Sequence, residues 1–334
     1  RYTAAAGELA LRSAICGDLL RRKGTAYAPG EVVVANGAKQ AVYQALLATC
    51  GPGDEVIVPA PYWTSYPEMV KLSGATPVVV DTAAEDGYAL TPEQLQAVVT
   101  PATRALILCN PSNPSGCVMG PGELQVIADC LSEHPRVLVI ADEIYERLVY
   151  DDVEHVSFAA LEGMRDRTVV INGFSKAYAM TGYRLGYLAA PEPIARAALK
   201  LQSQITSCAS SISQAAALAA LSVPDGEIAA LVSQLQAKRD EAQALLSAIP
   251  GLTCPPARGA FYLLPDVGSF LGRRLEPTGE LVGDTHTLCL LLLKTKGVAL
   301  VPGDAFGAPT CVRISYAASL EEIREAIAGL ADFL

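Results

Sequence analysis

The chain has 334 residues, of which 51% are apolar and 18% are charged, and its formal net charge at pH 7 is −10. A chain of this length and composition can bury two sizeable cores and is typical of a globular protein. The acidic balance and the lack of a basic run argue against nucleic acid and against anionic membrane surfaces as partners.

The nine cysteines are odd in number and show neither a CxxC pair nor a spacing typical of zinc ligands. Several lie in apolar stretches, so the sequence favours buried free thiols in a reducing compartment over a disulfide framework, and we expect no metal. The chain begins at Arg1 rather than Met, and we expect that an N-terminal segment, with any targeting address, is missing.

Short β-branched runs alternate with helical patterns over the first two thirds of the chain. A strand at 31–34 leads into a helix over 38–50, where the sequence Gly-Pro-Gly ends it. Further strands are predicted at 55–58, 77–81, 104–109, 137–141, 168–171 and 185–189. Continuous apolar strands separated by helices indicate a parallel-rich sheet covered on both faces.

The charge content and the length of the predicted elements change after Pro224. The uncharged stretch 201–224 is rich in serine and predicts a buried or interfacial helix rather than a membrane span. A charged helix at 227–248 then leads into shorter elements. We therefore predict a large domain over residues 1–224 and a smaller one over 225–334.

Lys176 lies soon after the apolar run 168–171, and Arg184 follows eight residues later. A buried amine beside an anion site can form a Schiff base with an aldehyde cofactor whose phosphate the arginine holds. Because most lysines are solvated surface charges, this pattern alone does not establish the site.

Asp142 ends the apolar run 137–141, and Tyr145 follows three residues later. A buried acid is costly unless it is paired with a cation, which a protonated pyridine nitrogen would supply. Tyr145 would then donate to a phenolate oxygen on the same ring. An N-cap aspartate with a packing tyrosine explains the motif equally well.

Polar residues also follow other strands, where ligands of α/β sheets collect. The turn 36–39 opens a helix and can hold a phosphate, Trp63 can stack on a planar ring, and Asn113 in the loop 110–116 can present its amide. An ordinary turn or core residue is the commoner explanation of each. Arg313 inside an apolar strand fits a carboxylate ligand or an internal salt bridge. No dinucleotide or P-loop motif occurs.

Five ordered motifs together resemble the class I aminotransferases of the pyridoxal-phosphate fold type I superfamily. They are G-A-K-Q at 37–40, N-P-S-N-P-S-G at 110–116, D-E-I-Y at 142–145, S-K with M-T-G-Y-R at 175–184, and V-R-I-S-Y at 312–316. The resemblance runs from residue 2 to the end of the chain. It is closest to the prokaryote-type aspartate aminotransferases, and within them to the plant and algal plastid enzymes that also transaminate prephenate.

This resemblance implies an α/β large domain, with a mostly parallel seven-stranded sheet between helices, and a smaller α+β domain. It implies a homodimer with active sites at the subunit interface, in the plastid stroma or alternatively the cytoplasm. The implied reaction moves an amino group from aspartate or glutamate to a 2-oxo acid, including prephenate, by a ping-pong mechanism through a Lys176 aldimine. A pyridoxal-phosphate lyase of the aminocyclopropane-carboxylate synthase type is the alternative, and a transcription regulator's sensor domain is a non-enzyme alternative.

The resemblance also assigns site residues. Lys176 is the catalytic amine and Arg313 binds the substrate α-carboxylate, while Lys39 receives its distal carboxylate. Trp63 and Asn113 contact both cofactor and substrate, and the remaining cofactor contacts are Gly37, Ala38, Asp142, Tyr145, Ser175, Arg184 and, from the neighbouring subunit, Tyr2. The chain departs from some relatives at Ala38, at Gly173 (for a phosphate-binding serine) and at Tyr183 (for tryptophan), which leaves the detail of the phosphate contacts open.

Overall fold

A computed structural model of the chain describes residues 1–275 and 279–334. Seven strands form one sheet in the order β1-β7-β6-β5-β4-β2-β3. Their bounds are β1 (Val32–Ala35), β2 (Glu55–Ala60), β3 (Thr76–Asp81), β4 (Thr103–Cys109), β5 (Leu138–Asp142), β6 (Thr168–Gly173) and β7 (Gly186–Ala189). All seven strands were predicted, and most bounds differ from the prediction by one or two residues.

The sheet is mostly parallel, with β7 as the exception. β7 runs antiparallel to both of its neighbours, β6 and β1. The connection from β6 to β7 contains no α-helix, and a parallel crossover usually needs one. Because β1 and β6 are both antiparallel to β7, their carboxyl ends lie at the same edge of the sheet.

Ten α-helices lie within the described residues, and most cover the sheet or pack with the later strands. They are α1 (Leu9–Lys23), α2 (Ala38–Thr49), α3 (Ser65–Leu72), α4 (Pro92–Val98), α5 (Pro121–Ser132), α6 (Glu192–Ile205), α7 (Ser211–Ala220), α8 (Asp225–Ser247), α9 (Thr285–Lys296) and α10 (Leu320–Phe333). The prediction of one helix over the uncharged stretch 201–224 was wrong: it contains the end of α6 and all of α7. Ser210, whose side chain accepts from the Ser213 amide, begins the second helix.

The sheet is buried on both faces. One core cluster joins α2 and α3 to alternate residues of β1, β2, β4, β5 and β6, and another joins α5 to the opposite face of β2, β4 and β5. Apolar and polar residues hardly alternate along these strands, because both faces of the sheet are covered. Among the described residues, no single helix is long and apolar enough to cross a membrane, although α7 and α8, bent by 91°, meet that test as a pair.

The chain after α8 forms smaller antiparallel sheets. These are β11 (Val301–Pro302), β12 (Val312–Ser315) and β8 (Tyr262–Leu263) in one, and β9 (Arg273–Leu275) with β10 (Glu280–Val282) in the other. Their core, with α8, α9 and α10, also contains Tyr145, Leu148 and Tyr150, which follow β5. This shared core fixes β12 close to the carboxyl end of β5. The division into domains at residues 224 and 225 stays a prediction.

Candidate active site

One cavity of about 390 Å³ lies at the carboxyl edge of the large sheet. It is lined by ten of the predicted residues: Ala38, Lys39, Trp63, Asn113, Asp142, Tyr145, Ser175, Lys176, Arg184 and Arg313. They come from the ends of β1, β2, β4, β5 and β6, and from β12. Parallel strand ends meet at one edge of a sheet, which explains how residues so distant in sequence share a site.

Lys176 projects into this cavity from the turn after β6. Its Nζ lies 5.5 Å from the ring centre of Tyr145 and 5.2 Å from that of Phe261. Burial, together with the nearby cations of Arg313 and Arg184, lowers the pKa of the Lys176 amine, against the opposing effect of Asp142. A larger fraction of the amine is therefore neutral, and so nucleophilic, than at an exposed lysine.

Asp142 is the last residue of β5 and is only 4% exposed. Its Oδ2 accepts a hydrogen bond from the Tyr66 hydroxyl at 2.7 Å, and its Oδ1 accepts one from the Ile144 amide at 3.2 Å. Burial raises the pKa of this carboxyl to about 6, although both hydrogen bonds oppose the increase. Asp142 is thus an ionisable acid held at the cavity wall.

Asn113, in the loop after β4, and Arg313, in β12, both line the cavity and hydrogen-bond to each other. Arg313 Nη1 donates to Asn113 Oδ1 at 2.9 Å. The guanidinium also lies 4.6 Å from the Tyr262 ring centre and 4.8 Å from that of Phe306. Its Nε is buried without a hydrogen-bond partner among the described residues. A buried donor of this kind favours an acceptor supplied by a ligand.

The amino end of α2 forms part of the cavity wall through Ala38 and Lys39. Gly37 precedes it with φ 88° and makes no side-chain cap, so the first amides of the helix have no intrahelical acceptor. A Cβ at Gly37 would collide with the Arg184 guanidinium. The guanidinium, held by a 2.9 Å bond from Nη1 to the Thr181 carbonyl, therefore lies directly beside these amides. Helix amides and an arginine in contact are a typical anion cradle.

Gly173 and Gly186 permit this arrangement. They pair with each other in the sheet, and a Cβ at Gly173 would lie 2.7 Å from the Gly186 Cα. A Cβ at Gly186 would collide with the Ala38 amide nitrogen. A serine cannot replace Gly173 without moving this backbone, whereas Ser175 already lines the cavity.

Lys39 and Trp63 lie together at the mouth of the cavity. Lys39 Nζ is 4.9 Å from the Trp63 ring centre, and the Trp63 ring meets Tyr66 edge-on at 5.3 Å. Tyr2 lies elsewhere: it is 90% exposed and borders a separate depression with Ser203 and Ser207. The expectation that Tyr2 serves a neighbouring subunit stays a prediction.

Three aromatic residues around the cavity were not predicted. Tyr66 bonds Asp142, Tyr262 bonds the Tyr145 hydroxyl at 3.0 Å, and Phe261 lies beside Lys176. Tyr66 lies three residues after Trp63, a spacing of about one helical turn that could have predicted it. No local sequence pattern predicts that residues 261 and 262 lie at the cavity, because their position depends on how the later sheet packs against the loop 110–116.

A buried ionic cluster supports the turn that carries Asp142 and Tyr145. The side chain of Lys23, at the end of α1, is 3% exposed and pairs with both Glu143 and Glu146. Glu143 also accepts from the Ser157 hydroxyl at 2.8 Å. Ligand atoms of Glu143, Glu146 and His155 lie within 4.8 Å of one another, but Lys23, and Arg22 at Glu146, already pair with the two carboxylates. The cluster ties α1 to the wall of the site.

Comparisons with known proteins agree with this architecture. Residues 1–330 match the family described as aminotransferase class I and II. A bifunctional aspartate aminotransferase and glutamate/aspartate-prephenate aminotransferase of Petunia hybrida is 49% identical over 98% of this chain and 69% of its own length. An aspartate/prephenate aminotransferase of Cereibacter sphaeroides is 45% identical over 100% of this chain and 83% of its own.

The fold has an equally close counterpart among solved structures. The aspartate aminotransferase of Rhizobium meliloti superposes with a TM-score of 0.96 at 42% identity, covering 99% of this chain and 83% of that one. The family match spans almost the whole chain, and the fold and the cavity lie within it. The chain therefore belongs to the class I and II aminotransferases.

Proposed function

We propose that this aminotransferase binds pyridoxal 5'-phosphate in the cavity and exchanges amino groups between aspartate or glutamate and 2-oxo acids, with prephenate as a further acceptor. The relatives from Petunia hybrida and Cereibacter sphaeroides are named for aspartate and prephenate. Both names describe transfer of an amino group, so the lyase alternative is not favoured.

The main support for the proposal is the positive charge of the cavity. Four cationic side chains, Lys39, Lys176, Arg184 and Arg313, surround a single carboxylate, Asp142, in a chain whose net charge is −10. A cavity so opposed to the overall charge selects anions. Pyridoxal phosphate with a dicarboxylic substrate supplies one phosphate and two carboxylates.

The residues present fit this cofactor. The cradle of α2 amides and Arg184 suits its phosphate, with Ser175 beside it, and Asp142 suits its protonated ring nitrogen. Trp63 offers a face for the ring, and the Asn113 amide and Tyr145 hydroxyl can donate to the phenolate oxygen. When bound, the cofactor supplies an aldehyde carbon that bonds amines and a ring that accepts electrons.

Lys176 is the one lysine whose amine lies inside the cavity near Asp142. Its lowered pKa would make its Nζ the group that holds the aldehyde of the cofactor before substrate arrives. With a substrate amine in its place, the freed Nζ would carry a proton between the substrate α-carbon and the carbon of that aldehyde. A positioned amine whose pKa is closer to neutrality suits both directions of proton transfer.

The substrate is held at two points. Arg313, with its unpartnered Nε, binds the α-carboxylate, and its planar fork fixes the orientation of the α-carbon. Lys39, which also lines the cavity and lies over the Trp63 ring, receives the distal carboxylate. Prephenate carries a second carboxylate that can take the same place.

We also infer that the enzyme is a homodimer. Ile205 and Ile212 are exposed apolar side chains close in sequence to Ser203, Ser207 and Cys208, which border the same depression as Tyr2, and exposed apolar side chains favour a protein interface. Tyr2 would then reach the partner's phosphate. Plastid stroma as the compartment follows from resemblance alone, and fractionation of the source cells would test it.

A stoichiometric assay tests the proposal. Purified protein with pyridoxal phosphate is given aspartate and 2-oxoglutarate, and we expect oxaloacetate and glutamate in equal amounts. The Lys176→Ala variant should lose this activity, whereas Lys294→Ala, on the outer surface of α9, should retain it. Consumption of aspartate without matching glutamate would identify a lyase, and failure of the wild type to bind the cofactor would contradict the proposal altogether.

A further inference from the structure

We propose that Tyr66 is a positioning residue that keeps the Asp142 carboxylate ionised and oriented for the ring nitrogen of the cofactor. The inference rests on the proposed function, because it concerns how the cofactor is recognised. Tyr66 touches neither of the cavity's anion sites. Its role is therefore to act through Asp142.

The geometry makes Tyr66 a fixed donor. It lies in the first turn of α3, is 2% exposed, and its hydroxyl donates to Asp142 Oδ2 at 2.7 Å. Burial, together with the nearby Asp142 charge, raises the pKa of the Tyr66 phenol well above 10, so the hydroxyl stays protonated at any working pH. A buried phenol beside a carboxylate has only one favourable arrangement, in which the phenol donates.

Within residues 1–275 and 279–334, each Asp142 oxygen has one donor. Oδ2 has Tyr66 and Oδ1 has the Ile144 amide at 3.2 Å. A carboxylate oxygen accepts at two lone pairs, so each oxygen can still accept a further bond from a ligand. Because two fixed donors set the plane of the carboxylate, the remaining lone pairs have a fixed direction too.

Removal of the phenol leaves little else to hold the charge. The thiol of Cys109, whose pKa burial raises to about 12, is neutral beside Asp142. Glu143 on the same turn raises the pKa of Asp142, and Lys176 lowers it. Without Tyr66 the pKa of the buried carboxyl would rise further, and a larger fraction of it would be protonated and would not attract a protonated ring nitrogen.

The same turn also holds the Trp63 ring. The Tyr66 amide donates to the Trp63 carbonyl at 2.9 Å, and the two rings meet edge-on at 5.3 Å and 85°. One residue thus links the surface on which the cofactor ring stacks to the acid at its edge.

The test compares two ligands on the Tyr66→Phe variant. One is pyridoxal phosphate and the other is its analogue with carbon in place of the ring nitrogen, which gives Asp142 nothing to bind. Binding to the cofactor-free protein is followed by the fluorescence of Trp63, the chain's only tryptophan. Tyr150→Phe is the matched control, because Tyr150 is 1% exposed and donates one hydrogen bond, to the Ala260 carbonyl, outside the cavity.

We expect Tyr66→Phe to weaken pyridoxal phosphate binding about 10- to 150-fold, the usual effect of losing a hydrogen bond to a charged group, and to leave the analogue's affinity unchanged. Tyr150→Phe should change neither affinity. Equal weakening of both ligands would show that Tyr66 is merely structural, and no weakening of either would also overturn the inference. Retained binding of the analogue shows that the variant folds. Failure of the wild type to prefer pyridoxal phosphate would instead count against the proposed function.

Discussion

Replacement of Lys39 by alanine should alter which substrates the enzyme prefers. Lys39 Nζ lies over the Trp63 ring at 4.9 Å from its centre and makes no hydrogen bond or salt bridge among the described residues. The variant therefore breaks no ion pair of the protein, and its effect falls on the ligand. Loss of the contact with Trp63 itself is worth only about 0.5–1 kcal/mol at an exposed site and affects every substrate alike.

The expected loss follows from the bond that Lys39 makes to a distal carboxylate. A hydrogen bond to a charged group contributes about 1.5–3 kcal/mol, so Lys39→Ala should lower kcat/KM for aspartate and glutamate about 10- to 150-fold. Phenylalanine has no distal carboxylate, and its kcat/KM should change little. Lys39→Arg, which keeps the charge, should recover part of the loss.

Steady-state kinetics with aspartate and phenylalanine as donors, at one fixed concentration of 2-oxo acid, make the comparison. Lys294→Ala serves as the control for removal of an exposed lysine. The reasoning fails if aspartate and phenylalanine lose activity equally, because Lys39 would then serve only the phosphate of the cofactor.

Three further outcomes are expected. Arg313→Lys keeps the charge but loses the planar fork, so kcat/KM should fall by about 10-fold or more for every amino donor; a loss confined to dicarboxylic donors would contradict this. Asp142→Asn should stabilise the cofactor-free protein at pH 8 but not at pH 4. Burial raises the pKa of the Asp142 carboxyl from 3.8 to about 6 in the folded protein. The protonated carboxyl therefore stabilises the folded state fully below pH 4, and this stabilisation is lost as pH rises through 6. The gain is at most ~3 kcal/mol, and thermal melts at both pH values would measure it; equal melting shifts at both would refute the burial argument. Lys23→Met leaves the buried Glu143 carboxylate without a cation, whereas Glu146 keeps its ion pair with Arg22, and should cost about 3–5 kcal/mol in urea unfolding; Lys294→Met should be neutral.

The sequence predicted the site best where a reactive side chain directly follows an apolar strand. Runs such as 105–109 and 137–141 are continuous and apolar, so their strands and the residues that follow them were predictable. Lys176, Asp142 and Asn113 each stand just beyond such a run, and the structure brings all three to one cavity. The direction of β7 was not predictable, because strand polarity depends on a connection whose path the local pattern does not encode.

The uncharged stretch 201–224 shows the opposite limit. Its apolar residues suggested one helix, but the break between α6 and α7 depends on a side-chain cap at Ser210 and on Ser207, which adopts a positive φ of 61°. Serine is common in loops, caps and helices alike, so its presence did not locate the break.

The substrate end of the site depends on contacts that no local pattern contains. Arg313 and Asn113 are 200 residues apart, yet their hydrogen bond joins β12 to the loop after β4. That distance is set by the backbone of residues 258 and 259, whose amides donate to the Gly116 carbonyl. A Cβ at Gly259 would lie 2.7 Å from that of Pro111, so only glycine allows so close an approach. The position of the carboxylate-binding guanidinium therefore depends on how the later sheet packs against one loop. Gly259→Ala should accordingly raise KM for all amino donors by more than it weakens cofactor binding, since Asn113 is displaced with its loop but Lys176, Asp142 and the α2 cradle lie at the edge of the large sheet.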